Sequence, residues 1–202
     1  MKTYIINLPH RIDRLSTVTK NPIPQPKLVR AVYYSKLPNE DKQFWINKLI
    51  TEENFIDSDG AMGCFASHYN TWKMIIEAEE EIALVLEDDV KFKSEFETTL
   101  KTITESTPED FDILFIGGTY EGGTYSLGIY KPEFARKNAF TTEAYIISKT
   151  GAAKLIELVD NKKSTSCNVD WYLHNLGKKN LINYYGYYPL ICFQTHGDSD
   201  IK

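Results

Sequence analysis

The fold class is decided by the stretch Ile82-Ala83-Leu84-Val85-Leu86-Glu87-Asp88-Asp89, in which an unbroken apolar run passes directly into three acids. A run of five apolar residues is typical of a strand that is buried on both faces of an α/β sheet. Ligands of open α/β sheets bind beyond the carboxyl ends of the strands, which is where these acids lie. The stretch therefore predicts a central strand that delivers carboxylates to a ligand site.

Strand and helix signals alternate on both sides of this stretch, which predicts an α/β protein. No second segment is long enough to form another core, so we expect a single domain over residues 1–202. The predicted strands are Thr3–Leu8, Lys27–Tyr33, Ile82–Leu86, Asp112–Ile116, Ala139–Ile147, Leu181–Tyr185 and Pro189–Gln194. The predicted helices follow the turn Ser58-Asp59-Gly60, span Ser94–Glu105, run from a Ser148 cap to Val159, and run from an Asn168 cap to a stop at Gly177.

Composition excludes two broad classes of protein. With 42% hydrophobic and 25% charged residues, the chain resembles an ordinary globular protein and not a disordered one. The net charge of −5 argues against a nucleic-acid partner. Residues 1–30 nevertheless carry six basic residues against Asp13 alone. This basic segment is either a chance cluster or a site for an anionic ligand.

The sequence also predicts where the protein works. No apolar run is long enough to cross a membrane, and the N-terminal residues lack the apolar core of a signal peptide. The three cysteines, Cys64, Cys167 and Cys192, form no CxxC pair, so neither a disulfide framework nor a zinc framework is expected. We therefore predict a cytosolic protein without a transmembrane segment.

The acids after the central strand are the strongest candidate for chemistry. If extended geometry continues beyond Leu86, Glu87 and Asp89 project to one side of the chain and Asp88 to the other. A divalent cation would relieve the repulsion among the three carboxylates, and oxygen ligands favour Mg²⁺ or Mn²⁺ over zinc. The alternative is a solvated acidic turn without a metal.

Other candidate residues have ordinary explanations as well. His68 lies on the apolar stripe of its predicted helix, where a hydrogen-bonded core histidine is expected. Asp170 lies in the first helical turn, where any acid complements the helix dipole. His196 lies in a polar terminal stretch. The glycine-rich residues 117–128 are either a flexible connection or a lid over an active site.

Several motifs together resemble glycosyltransferase family 25, which includes procollagen galactosyltransferases and bacterial lipopolysaccharide galactosyltransferases. Their order along the chain carries the resemblance. The motifs are Ile5-Ile6-Asn7-Leu8 with Arg11-Ile12-Asp13-Arg14, Gly60-Ala61-Met62-Gly63-Cys64-Phe65-Ala66-Ser67-His68-Tyr69-Asn70-Thr71-Trp72, Leu84-Val85-Leu86-Glu87-Asp88-Asp89-Val90, Ala144-Tyr145-Ile146-Ile147-Ser148 with Gly151-Ala152, Val169-Asp170 and Pro189-Leu190.

The resemblance implies a GT-A-like, Rossmann-related domain with a mixed, mostly parallel sheet. It implies an inverting transferase that moves a hexose, galactose or glucose, from a UDP-sugar with the help of Mn²⁺ or Mg²⁺. The implied metal ligands are Asp89, Glu87 and His196, with Glu87 on either the metal or the ribose. The implied acceptor is a glycan, a lipid-linked glycan or a protein hydroxyl such as that of hydroxylysine.

The resemblance also implies roles for the remaining candidates. Asn7, Leu8, Arg11 and Arg14 would line the nucleotide site, and Asp88 would contact the donor. Ser67 and His68 would hold the donor or the acidic motif by hydrogen bonds. Asp170 would be the general base, with its pKa lowered by the helix N-terminus. The alternative is a catalytically silent module of the same fold that binds a nucleotide sugar or a glycan.

Overall fold

The computed structural model describes residues 1–50, 58–118, 126–132, 140–162 and 166–194. Within these ranges, strands and helices alternate as the sequence predicts. The strands are β1 (Lys2–Asn7), β2 (Pro26–Arg30), β3 (Ile82–Glu87), β4 (Val90–Phe92), β5 (Ile113–Phe115), β6 (Gly128–Tyr130), β7 (Ala144–Ser148), β8 (Tyr184–Tyr188) and β9 (Cys192–Gln194). The α-helices are α1 (Ile12–Val18), α2 (Asn39–Leu49), α3 (Asp59–Ile76), α4 (Phe96–Ser106), α5 (Lys149–Asp160) and α6 (Val169–Lys178).

Seven of these strands form one mixed sheet in the order β2-β1-β3-β7-β5-β8-β6. The pairs β1–β2, β1–β3 and β5–β8 are parallel. The pairs β3–β7, β5–β7 and β6–β8 are antiparallel. The mixed sheet is confirmed, but it is not mostly parallel. Three of its six pairings in the described ranges are parallel, because β7 runs against both of its neighbours and β6 runs against β8. Strands β4 and β9 form a separate antiparallel ribbon.

The sheet has a hydrophobic core on each face, and β3 contributes to both. Ala83 and Val85 pack into the core that contains residues of α2, α3, α5 and α6. Leu84 and Leu86 pack into the opposite core, with residues of α1 and α4. All four side chains are buried. Burial on both faces explains why this strand is a continuous apolar run and not an alternating one.

The predicted caps at Ser148 and Asn168 are confirmed, and Ser58, which was predicted to lie in a turn, is the cap of α3. The side chains of Ser58, Ser148 and Asn168 accept backbone N–H bonds at the starts of α3, α5 and α6. The predicted stop at Gly177 is wrong, because α6 continues to Lys178. The chain turns away two residues after the end of α6, at Asn180, whose φ of 53° is the left-handed conformation. The Asn180 N–H donates to the Gly177 carbonyl and the Leu181 N–H donates to the Leu176 carbonyl, which is the bond pattern of a Schellman motif.

Other boundaries also differ from the predictions. Strand β2 ends at Arg30 rather than Tyr33, because the Val32 N–H donates to the Ser67 hydroxyl at 2.8 Å instead of to a strand. The helices α1 and α2 and the strands β4 and β6 were not expected. Residues 119–125, which include most of the predicted lid, lie outside the described residues, as does Ala139. No helix in the described ranges combines the length and the apolar character that crossing a membrane requires.

Candidate active site

A cleft of about 680 Å³ lies at the carboxyl ends of β1, β2 and β3. These three strands are parallel neighbours, so the residues that follow them meet at one edge of the sheet. Residues 31–35 form one wall after β2, and the first half of α3 forms another. The three acids after Leu86 border the cleft together with Leu8, Arg14 and Gln194. The acids therefore lie where the sequence predicts a ligand site.

Asp88 and Asp89 are held by one shared arginine. The Arg14 guanidinium donates to Asp88 at 3.1 Å and to Asp89 at 3.3 Å. Asn7 donates to Asp88 at 2.7 Å, and Gln194 donates to Asp89 at 3.1 Å. The expected alternation of the side chains is wrong here, because extended geometry ends at Glu87. The turn between β3 and β4 brings both aspartates to Arg14.

The acids carry more negative charge than Arg14 offsets. Burial, followed by the nearby charge of Glu87, raises the pKa of Asp89 to about 6. Burial also raises the pKa of Asp88, although its bonds to Asn7 and Arg14 oppose the rise. Ionisation of these carboxylates costs free energy because they are buried and close to one another. A bound cation would lower that cost. Oxygen donors of this kind suit Mn²⁺ or Mg²⁺.

Glu87 is fixed by a chain of hydrogen bonds that starts in the core. Trp72 donates to the Tyr145 hydroxyl at 3.0 Å, and that hydroxyl lies 2.9 Å from His68 Nδ1. His68 Nε2 lies 3.1 Å from Glu87. Since an indole only donates and a carboxylate only accepts, we infer that Tyr145 donates to Nδ1 and that the proton on Nε2 is donated to Glu87.

His68 therefore combines the two roles that the sequence left open. Its side chain is fully buried, as a core histidine would be, and it also holds the acidic motif. Burial alone would raise the pKa of Glu87, but the hydrogen bonds from His68 and Thr142 outweigh burial and lower it. Glu87 is thus kept ionised at the end of its strand.

Ser67 shapes the wall of the cleft. Its hydroxyl accepts from the Val32 N–H and donates to the Gly63 carbonyl at 2.6 Å. A Cβ atom on Gly63 would lie 2.6 Å from the Val32 carbonyl oxygen, so only glycine lets the helix approach this closely. The Gly-Cys-x-x-Ser-His block therefore fixes the path of the chain after β2.

Asp170 is linked to this acidic cluster by hydrogen bonds through a single intervening residue, Thr142. The Thr142 N–H donates to Asp170 at 2.9 Å, and the Thr142 hydroxyl donates to Glu87 at 2.8 Å. Burial, followed by the charge of Glu87, raises the pKa of Asp170 to about 6. The expectation of a lowered pKa is wrong, because the loss of water and the like charge outweigh the helix N-terminus.

Glu143 is a buried acid beside this site, outside the cleft lining, and the sequence analysis missed it. Its side chain is 1% exposed, and the Thr141 hydroxyl donates to one carboxylate oxygen. The other oxygen, Oε1, has no hydrogen-bond partner among the described residues. Burial raises the pKa of Glu143 to about 8. The missed signal was its place directly before β7, since the start of an antiparallel neighbour lies at the same sheet edge as the end of β3.

The remaining predicted site residues differ in how they contribute. Leu8 lines the cleft, whereas Asn7 reaches it through Asp88. Arg11 pairs with Asp13 at 3.1 Å and does not belong to the cleft lining. His196 lies outside the described residues. One group of potential ligand atoms that lie within 4.8 Å of one another consists of Cys64, His68 and Glu87.

Comparison with known proteins assigns the family. The model of glycosyltransferase family 25, described as an LPS biosynthesis protein, matches residues 1–122, which is more than half of the chain. The chain belongs to glycosyltransferase family 25. The match includes β1, the Gly-Cys-x-x-Ser-His block and the acids after β3, and these are the parts that build the cleft.

The chain is similar to much longer members of the family. It is 30% identical over 161 residues to human procollagen galactosyltransferase 2, a match that covers 68% of this chain and 24% of that protein. It is 28% identical to procollagen galactosyltransferase 1-B of Xenopus laevis, over 98% of this chain and 36% of that protein. The chain therefore spans about a quarter to a third of the length of these relatives.

The fold is also similar to that of solved glycosyltransferases. The structure of the glycosyltransferase GlyE from Streptococcus pneumoniae TIGR4 matches with a TM-score of 0.50 at 13% identity. This match covers 93% of the chain and 45% of GlyE. At so low an identity the likeness concerns the fold alone, and it agrees with the GT-A-like architecture that the family-25 motifs imply.

Proposed function

We propose that this family-25 domain is a metal-dependent, inverting glycosyltransferase that moves galactose or glucose from a UDP-sugar to a hydroxyl acceptor. The observation that carries the proposal is the convergence of Glu87, Asp88 and Asp89 with Arg14 at one end of the cleft, with Asp170 linked to them through Thr142. The proposed base would then lie one residue away from the acids that bind the donor, and it does not itself belong to the described cleft lining.

The acidic cluster fits a bound Mn²⁺ or Mg²⁺. Asp89 and Glu87 would hold the ion, since burial and then the like charge of Glu87 raise the pKa of Asp89, and a cation would relieve that cost. When bound, the ion neutralises charge on the donor diphosphate and makes UDP a better leaving group. His196 stays a predicted third ligand.

Residues around the acids orient them for donor binding. Asn7 and Arg14 fix Asp88, and His68 and Thr142 fix Glu87, so neither carboxylate has to be ordered when the donor arrives. The Arg14 guanidinium lines the cleft and would also attract the donor phosphates. Arg14 is the member of the basic N-terminal segment that lines the cleft, whereas Lys2 pairs with Glu80 and Arg11 pairs with Asp13.

Asp170 is the proposed general base. A pKa of about 6 leaves this carboxylate mostly ionised at neutral pH and makes it a stronger base than an ordinary aspartate. It would take the proton from the acceptor hydroxyl while the hydroxyl oxygen attacks the anomeric carbon. A single attack opposite the departing UDP inverts the configuration at that carbon.

We propose only the chemical class of the acceptor. A glycan, a lipid-linked glycan or a hydroxylysine-type protein hydroxyl would each present the oxygen that this chemistry needs. The procollagen galactosyltransferase relatives favour a protein acceptor, and the family description favours a lipopolysaccharide. We propose that the reaction takes place in the cytosol.

A donor screen tests the proposal. The protein is incubated with UDP-galactose, UDP-glucose, UDP-N-acetylglucosamine and GDP-sugars, each with Mn²⁺ or with a chelator, and the released nucleotide is measured. We expect Mn²⁺-dependent release of UDP from one UDP-hexose, and a product of inverted configuration once an acceptor is supplied. Binding of a donor without any release under all conditions would favour the silent binding module instead.

A further inference from the structure

Three side chains that could bind a metal ion softer than Mn²⁺ lie together at the cleft wall. Cys64 and His68 are four residues apart, so they lie on one face of α3, and Glu87 faces them from the end of β3. Their ligand atoms all lie within 4.8 Å of one another, and all three residues border the cleft. Thiolate, imidazole and carboxylate are a ligand set that suits Zn²⁺ and not Mn²⁺.

We propose that Cys64, His68 and Glu87 form a binding site for a single thiophilic divalent cation, Zn²⁺ or Cd²⁺, with its open coordination position facing the cleft. The site extends beyond the proposed transferase function, and it shares only Glu87 with the proposed Mn²⁺ site. Three protein ligands with one open position are typical of zinc sites that remain accessible to small molecules.

The surroundings of the three residues favour a cation. The carboxylates of Glu87, Asp88 and Asp89 border the same cleft as Cys64. A bound cation would displace the thiol proton to solvent and replace it with a stronger positive charge near these acids. Cys64 is half-buried, so the cation can reach it from the cleft.

The core behind His68 is arranged as a support for a metal ligand. His68 Nε2 already points at Glu87, while Nδ1 faces the buried Tyr145 hydroxyl at 2.9 Å. Coordination of a cation by Nε2 would require the ring proton to move to Nδ1 and the Tyr145 hydroxyl to turn from donor to acceptor, with its own proton turned away from the ring. The fixed position of Tyr145 would then set the orientation of the ring, as the partner of a ligating histidine commonly does.

Binding at this site would compete with the proposed reaction. A cation held by Cys64 and His68 takes Glu87 away from the acidic cluster that would bind Mn²⁺. Zn²⁺ should therefore inhibit a Mn²⁺-dependent activity, and this one consequence rests on the proposed function. The binding test itself needs neither a nucleotide sugar nor turnover, so its failure and the failure of the proposed function are distinguishable.

Direct titration with metal ions tests the proposal. The whole chain is titrated with Cd²⁺ while the thiolate-to-cadmium charge-transfer absorption is recorded, and with Zn²⁺ in competition with a chromophoric chelator. We expect one equivalent of either ion to bind. Cys64→Ser, which removes the soft ligand and keeps the shape, should abolish the cadmium band and weaken Zn²⁺ binding at least about tenfold.

A matched variant controls for the loss of a thiol. Cys167 is buried outside the cluster, so Cys167→Ser should keep the cadmium band and the Zn²⁺ affinity of the parent protein. Circular dichroism establishes that both variants are folded. Unchanged binding in folded Cys64→Ser, loss of binding in folded Cys167→Ser, or no stoichiometric binding by the parent protein would overturn the proposal.

Discussion

At the scale of single residues, two buried carboxylates carry the testable chemistry. Asp170 and Glu143 both have raised pKa values because water is excluded around them. Asp170 has a hydrogen bond from Thr142, whereas one oxygen of Glu143 has no partner among the described residues. We therefore assign Asp170 to proton transfer and expect Glu143 to affect stability.

Asp170→Asn should lower turnover by about a hundredfold or more, because the amide cannot accept the acceptor proton. Donor affinity should change little, since Thr142 can still donate to the amide oxygen. Initial rates and donor binding are measured separately. Asp41→Asn, at an exposed position of α2, is the control and should match the parent protein. Near-normal turnover in Asp170→Asn would place the base elsewhere.

Activity should also fall as the pH drops through about 6, since Asp170 is protonated below its raised pKa and then cannot act as a base. The profile of kcat/KM against pH measures this in the parent protein. A profile that stays level down to pH values near 4 would contradict the assignment, because an ordinary aspartate titrates there.

Glu143 should make the folded protein less stable as the pH rises. Its pKa is about 8 in the folded state, against 4.5 for an ordinary glutamate, so between these values the folded state binds more protons than the unfolded state. The free energy of unfolding then falls with rising pH, by up to about 1.4 kcal/mol per pH unit for this group. Asp89 and Asp170 act in the same direction up to about pH 6.

Replacing the carboxyl group should remove part of this dependence. Glu143→Gln cannot ionise, so it should gain stability relative to the parent protein at pH 8 and gain little or none at pH 5. Denaturant unfolding at both pH values measures the difference. Glu157→Gln, at an exposed position of α5, should leave the dependence unchanged. An equal effect of Glu143→Gln at both pH values would show that its proton is not involved.

At the scale of elements, the N-terminus of α6 positions the proposed base. The Asn168 side chain accepts from the N–H groups of Asp170 and Trp171 at 3.0 and 3.2 Å. Asn168→Ala should lower the free energy of unfolding by about 1 kcal/mol and should lower kcat, because the first turn that carries Asp170 loses its cap. Asn168→Ser keeps an acceptor and should restore most of both losses. If Asn168→Ser lost as much stability and kcat as Asn168→Ala, the hydrogen bonds of the cap would not be what positions Asp170.

Elements that depend on residues close together in the sequence could be predicted. Boundaries that depend on contacts with distant residues could not. The apolar run of β3 and the caps Ser148 and Asn168 are local, and the structure confirms them. The end of β2 could not be predicted, because it depends on a bond between Val32 and the distant Ser67. The end of α6 was misassigned to Gly177, because Asn180 adopts the left-handed conformation that glycine was expected to supply.

At the scale of the whole molecule, the cleft exists because distant segments meet at one edge of the sheet. The sequence placed Glu87, Asp88 and Asp89 at that edge, and the resemblance to family 25 added Arg14 and His68. Neither source showed that Arg14 bridges both aspartates or that Tyr145 supports His68 from the core. Such contacts depend on the register of strands and on packing across the sheet, which single-residue patterns do not encode.

The most direct test of the account is the thermal stabilisation of the protein by UDP-galactose and UDP-glucose, each measured with Mn²⁺ and with a chelator. We predict that one of these donors raises the melting temperature only when Mn²⁺ is present. Asp89→Asn should lose this response, and the exposed variant Asp41→Asn should keep it. Stabilisation that persists in chelator, or an undiminished response in Asp89→Asn, would contradict a metal-dependent donor site at the acids after β3.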